Sequence, residues 1–125
     1  MPGFRPERVA EMIHRELAER LRSDIKDDRL AALSITLVQV TRDLSRATVS
    51  YMPLGGGKPD ADFVEALDQA AKKLRGPIGR ALRLRHAPEL VFEYDEHTDA
   101  AFRVTALLDR IGAERARAST EGAEE

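Results

Sequence analysis

The sequence contains no cysteine and no tryptophan. Without cysteine there is no disulfide framework and no thiolate metal site, which suits a reducing compartment. No apolar run is long enough to span a bilayer, and the opening stretch MPGFRPERVAEMIHRELAER lacks the apolar centre of a secretion signal. A soluble, cytoplasmic protein without membrane contact is therefore expected. Aromatic residues are scarce, with two Tyr and four Phe among 125 residues. Tyr51, Phe63, Phe92 and Phe102 are expected in the core, which leaves only Phe4 and Tyr94 for stacking on bases.

Catalytic patterns are missing as well. His14, His86 and His97 fall on three different segments, and neither His-Glu-x-x-His nor Gly-x-Ser-x-Gly occurs. Glu11 and His14 form a single Glu-x-x-His pair, whereas di-iron chemistry needs two. Asp27-Asp28 and Asp95-Glu96 lie at turn positions, with no sign of the apolar burial that would separate their pKa values. Gly55-Gly56-Gly57-Lys58 is not a phosphate loop, because Pro59 stands where Ser or Thr should follow the lysine. No nucleophile–base pair can be named, so the reading is a non-enzyme with no cofactor and no metal.

What the chain does have is a local excess of positive charge. Between Asp68 and Glu89 lie twenty residues with six Lys or Arg and no acid, in a protein with 22 acids and a formal net charge of −2. On a helical wheel, Leu67, Ala70, Ala71, Leu74, Ile78, Ala81 and Leu82 share one side. Lys72, Lys73, Arg75, Arg80 and Arg83 share the other, with Gly76 and Gly79 among them. A docked apolar face and a free, Gly-centred basic face are what a phosphate backbone requires. From charge alone, a solvated basic surface is the commoner explanation. The pI near 6 weighs little against nucleic acid, since residues 113–125 contribute four acids and two Arg.

Hydrophobic spacing orders the elements. Pro6 opens a first helix to about Arg22, with Val9, Met12, Ile13, Leu17 and Leu21 on its apolar side. A β-branched run at 33–41 and an alternating run at 46–52 form a hairpin, with Ala47, Val49 and Tyr51 inward. A second helix is expected to start at Asp62, capped with Glu65, and to break at Gly76-Pro77, because proline lacks the donor a helix interior needs. A further helical segment then ends near Leu84 or Arg85. A third strand follows at 89–95. The last helix is expected at 99–111, with Val104, Leu107, Leu108 and Ile111 inward and Gly112 ending it. The order is αββααβα, an α+β domain whose three-stranded sheet carries its helices on one face. The domain spans 6–112, between a flexible N-terminus at 1–5 and a disordered acidic tail at 113–125.

These segments resemble a known family. Leu82-Arg83-Leu84-Arg85, Pro88-Glu89-Leu90, Phe92, Tyr94-Asp95-Glu96, and Arg103 with Leu107-Leu108 look like the C-terminal half of bacterial ribosome-binding factor A. Arg8-Val9-Ala10-Glu11, Arg15-Glu16-Leu17 and Val40-Thr41-Arg42-Asp43-Leu44 with Ala47 and Val49 are similar to its N-terminal half. The resemblance covers about residues 5 to 111. It implies a type II KH-like fold in which a basic helix–kink–helix replaces the Gly-x-x-Gly clamp. It implies transient binding to the immature, free small ribosomal subunit near the 5′-terminal helix of its precursor rRNA, and help with late maturation and cold adaptation. A functional link to assembly GTPases and a monomeric state are expected with it. The RNA-binding residues would be Lys72, Lys73, Arg75, Gly76, Gly79, Arg80, Arg83 and Arg85, with Arg42 and Arg46 of the hairpin as secondary contacts. Where the family usually places Ala-x-Gly at its kink, this chain has Ala70-Ala71-Lys72, so Gly76-Pro77 is expected to take over the break. The alternative is a protein-interaction domain whose basic helix pair docks an acidic partner.

Overall fold

The computed structural model describes residues 5–123. Helix α1 (Pro6–Ser23) begins on Pro6, whose missing N–H has no intrahelical partner at that position in any case. Its residues Val9, Ile13, Leu17 and Leu21 recur at helical spacing and are buried against the sheet and α3. One turn of helix, α2 (Asp28–Ala31), follows, where Asp27-Asp28 read as a turn position. The Asp27 side chain caps it by accepting from the Arg29 N–H at 3.0 Å, and Leu30 is its buried anchor. Four residues are too few to show periodicity, so this element has no sequence signature beyond its cap.

Strands β1 (Ser34–Val40) and β2 (Arg46–Met52) pair antiparallel, and β3 (Glu89–Tyr94) runs parallel to β2. The order β1-β2-β3 places β2 in the centre. Ala47, Val49 and Tyr51 are buried on the helix side, as the alternation in β2 requires. The register shifts between Ile35 and Leu37. Thr36 lies at this irregularity, and its hydroxyl donates to Asp95 Oδ2 at 2.6 Å.

The hairpin turn is held by Asp43. Its Oδ1 accepts from the Ser45 hydroxyl at 2.7 Å, the Thr41 hydroxyl at 2.8 Å and the Ser45 N–H at 3.1 Å. These bonds, the Ser45 hydroxyl first, hold the Asp43 carboxyl below the usual range. A carboxylate with a lowered folded pKa stabilises the turn above its unfolded pKa, about 3.9. That contribution disappears as the pH falls through the folded value. Amide-exchange protection at residues 41–46 is therefore expected to drop on acidification below about pH 4. Asp43→Ala should weaken protection at neutral pH and abolish the acid step, and an acid step that persists in this variant would assign it elsewhere.

Helix α3 (Ala61–Ala81) is capped by Asp60, which accepts from the Phe63 N–H at 2.8 Å, and not by Asp62. Asp60 stands three residues before Phe63, the spacing an N-cap needs. The expected break also requires correction. α3 is one helix through Ala71-Lys72 and through Gly76-Pro77, so the anticipated pair of segments is undivided. Pro77 does leave the Lys73 carbonyl without its helical donor, at a cost of ~3 kcal/mol. Leu74 and Ile78 flank it and are each 1 % exposed. Each gains about 1.5–3 kcal/mol by burial, enough to hold the helical register across the proline.

Helix α4 (Glu96–Ala123) departs furthest from expectation. It continues past Gly112 through most of the stretch expected to be disordered, while residues 124–125 fall outside the description. A single exposed glycine costs about 1 kcal/mol, and the Ala-Glu-Arg-Ala-Arg-Ala run after it is rich in strong helix formers. Val104, Leu107, Leu108 and Ile111 do not face inward, and Phe102 is not in the core. Phe102 is 55 % exposed and Leu108 62 %.

The start of α4 is anchored to the body. Asp99 is fully buried. Its Oδ2 accepts from the Gly57 N–H at 2.8 Å and from the Tyr94 hydroxyl. Gly55, Gly56 and Gly57 all have left-handed φ, and a Cβ on Gly56 would sit 2.6 Å from Asp99 Oδ1. The glycine run is thus a tight clasp on Asp99 rather than a linker.

The core joins α1, α2 and α3 to the inner face of the sheet. This is an α+β, type II KH-like arrangement, with α2 added to and α3 undivided in the expected order. Of the anticipated flexible N-terminus, residues 1–4 lie outside the description, and Arg5 is the N-cap position of α1.

Candidate nucleic-acid interface

The apolar spacing of α3 determines which way its charges point. With Leu67, Ala70, Ala71, Leu74 and Ile78 buried, Lys72, Lys73, Arg75 and Arg80 are all exposed. Arg83 and Arg85 are exposed in the connection to β3. None of Lys72, Lys73, Arg80, Arg83 and Arg85 forms an ion pair among the described residues. By contrast, Arg20, Arg29, Arg46 and Arg103 each face a carboxylate. In a chain with more acids than bases, this surface is left without countercharge.

The glycines divide into two roles. Gly76 is half-buried on the basic side, and a Cβ there would meet Arg80 Nη1 at 3.3 Å, so the Arg80 guanidinium lies back over it. Gly79 is buried and does not belong to the free face. A Cβ there would lie 2.6 Å from Ala87 Cβ, so the glycine lets the returning chain press against α3. Arg75 serves the same junction, its Nε donating to the Ala87 carbonyl at 3.0 Å. Gly79 therefore acts on the site through position alone, and Arg75 is partly committed to structure.

The end of α3 shows what sequence reading missed. The Leu84 N–H reaches the Gly79 carbonyl at 3.0 Å, and the Arg83 N–H reaches the Arg80 carbonyl at 3.1 Å. Arg83 has φ of 56°. This is a Schellman closure with arginine in the left-handed position that glycine usually occupies. The only signal in the sequence was a basic residue just after Leu82, the C-cap position. Arg83→Gly should raise stability by roughly 1 kcal/mol by relieving that conformation. RNA affinity should fall in the same variant. Chemical denaturation and a binding titration on one preparation check both signs, and a loss of stability would contradict the account.

The fold adds Arg42 and Arg46 from a distance in sequence. Parallel pairing sets Arg46 opposite Glu89, and the Glu89 N–H bonds the Ser45 carbonyl at 2.9 Å. The hairpin turn and residues 82–88 therefore share one end of the sheet. Arg46 Nη2 lies 3.9 Å from Glu89 Oε2 between exposed side chains, a pair worth little. Arg42 is exposed in the turn.

A groove of about 390 Å³ runs between α3 and β3, with Asp68, Lys72 and Arg75 on one wall and Glu89, Leu90 and Val91 on the other. The two acids that bound the basic stretch in sequence line this groove beside Lys72 and Arg75, and neither forms an ion pair with those two cations among the described residues. A phosphate backbone is better matched by the outer surface of Lys72, Lys73 and Arg80, continued by Arg83 and Arg85.

Comparison with known proteins agrees with the fold. The family model described as ribosome-binding factor A matches residues 5–108. A ribosome-binding factor A from Desulforamulus reducens is 41 % identical over 119 residues, 95 % of this chain and 99 % of that protein. The crystal structure of ribosome-binding factor A from Thermus thermophilus superposes with a TM-score of 0.61 at 24 % identity, covering 73 % of this chain and 97 % of that one. Coordinates of the Thermus thermophilus factor fitted into a cryo-EM map of a 30S complex give a TM-score of 0.56 at 26 % identity, covering 67 % and 88 %.

Proposed function

The chain belongs to the ribosome-binding factor A family, and from that premise we propose that it is an assembly factor for the small ribosomal subunit. The observation that carries this reading is the unpaired cationic surface of α3 and its C-terminal closure. Lys72, Lys73, Arg80, Arg83 and Arg85 neutralise phosphates of precursor rRNA, and the released counterions supply much of the affinity. Arg75, Gly76 and Gly79 shape the surface. Arg42 and Arg46 extend it at the hairpin end.

The factor acts by occupancy rather than catalysis. A rigid basic ridge holds one arrangement of rRNA backbone, near the 5′-terminal helix, while late maturation proceeds. Cold adaptation follows, because misfolded RNA helices rearrange more slowly at low temperature. The protein works in the cytoplasm as a monomer on the free small subunit, on the same particle as assembly GTPases.

The test is co-sedimentation of the full chain with precursor small subunits, before and after nuclease treatment. Association that nuclease abolishes is the expected result. Association that survives complete RNA digestion would favour the alternative, an acidic protein partner on the basic face.

A further inference from the structure

The molecule has a second surface with the opposite chemistry. β1 pairs with β2 on one side only, so its other edge is open among the described residues. Exposed edges are commonly blunted by lysine, proline or inward charge. The seven residues of β1, SITLVQV, contain none of these, and Leu37 is 49 % exposed. The single irregularity lies near the start of the strand, between Ile35 and Leu37.

Two adjoining hollows, about 220 and 250 Å³, follow this edge between β1 and α1. Each is lined by three consecutive β1 residues, from both faces of the strand, which places the hollows along its edge rather than above the sheet. Pro6 lines only the hollow at residues 38–40, Glu11 and His14 only the one at 36–38, and Glu7 both, so α1 runs antiparallel to the strand. Glu7 and Glu11 are exposed and form no ion pair among the described residues. Arg8 and Arg15 of the same helix do not line the groove.

We propose that this edge receives an extended segment of a partner protein bearing Lys or Arg at alternate positions, added to the sheet as a fourth strand beside β1. Backbone bonding to the edge supplies the docking mode. One helical turn separates Glu7 from Glu11, about 6 Å along the axis. Alternate side chains of a strand repeat at about 6.6 Å, so two successive basic residues meet two successive glutamates. Among the described residues the groove is lined by carboxylates and by no Lys or Arg, which disfavours RNA. A second copy of this chain is disfavoured too, because β1 brings no basic residue and its own Glu7 and Glu11 would approach their counterparts.

The experiment titrates the isotope-labelled full chain with a ten-residue peptide alternating Arg and Val, followed by amide chemical shifts. The expected shifts fall on residues 36–40 and on α1 from 7 to 14. Glu7→Lys with Glu11→Lys, both exposed, should weaken binding at least tenfold while leaving precursor-subunit binding unchanged. The same peptide N-methylated at alternate backbone positions should not bind, and this needs no change to the protein. Shifts confined to other surfaces, equal binding of the methylated peptide, no binding at all, or self-association of the free chain through β1 would each overturn the proposal.

Discussion

Replacing Arg80 and Arg83 together with Glu is expected to lower affinity for small-subunit rRNA by about two orders of magnitude or more at physiological salt. Both side chains are exposed, and neither forms an ion pair among the described residues. Each substitution removes an attraction and adds a repulsion, without exposing a buried partner. The slope of log affinity against log salt should shrink by about two, since each lost phosphate contact on duplex accounts for about 0.9. Replacement by Ala should give the same slope change with a smaller loss of affinity. The measurement is a binding titration at several salt concentrations. Unchanged affinity and slope would remove the α3 surface from the interface and leave the cations there as ordinary solvated charge.

The second large effect is expected at Gly79. A Cβ at this position would lie 2.6 Å from Ala87 Cβ and 3.1 Å from Ala87 Cα. Gly79→Val adds a branched side chain where the returning chain already touches α3. Overpacking of this kind costs about 1–3 kcal/mol, and the upper part of that range is expected because the backbone of residue 87 must move. The same movement breaks the bond from Arg75 to the Ala87 carbonyl and shifts Arg83 and Arg85 relative to Arg80. Stability and RNA affinity should therefore fall together. Ala87→Gly in the same chain should recover part of both, because it removes the nearer contact. A denaturation midpoint for each of the four members of this mutant cycle provides the check. If Gly79→Val alone were as stable as the parent, the close approach of residue 87 would be refuted.

Much of the framework was legible from local pattern. The apolar spacing of α1, the alternation of β2 and the buried stripe of α3 all depend on residues within a few positions of one another. Periods of 3.6 and 2 report them directly. The basic stretch was equally plain, since an absence of acids over twenty residues needs no structure to be seen. The sequence failed where a local rule met a distant partner. Pro77 should end a helix, yet Leu74 and Ile78 keep α3 continuous by burial in the core. Gly79 read as an opening toward a ligand, but the space beside it is filled by Ala87. α4 read as a core helix, and periodicity alone reports an apolar side without reporting whether anything lies against it.

By itself, then, the sequence determined the sign of the charge on α3, the apolar stripe opposite it and the family to which the chain belongs. Each follows from residue order over short spans. Tertiary structure decided how that charge is used. It folded Asp68 and Glu89 back into the groove beside Lys72 and Arg75. It brought Arg46 of the hairpin to the same end of the sheet as residues 82–88. It also set Arg83 into a left-handed closure at the end of α3. The physical reason is common to all three. Charge and spacing are properties of neighbours along the chain, whereas placement, approach and backbone conformation at a helix end depend on what the rest of the fold puts beside them.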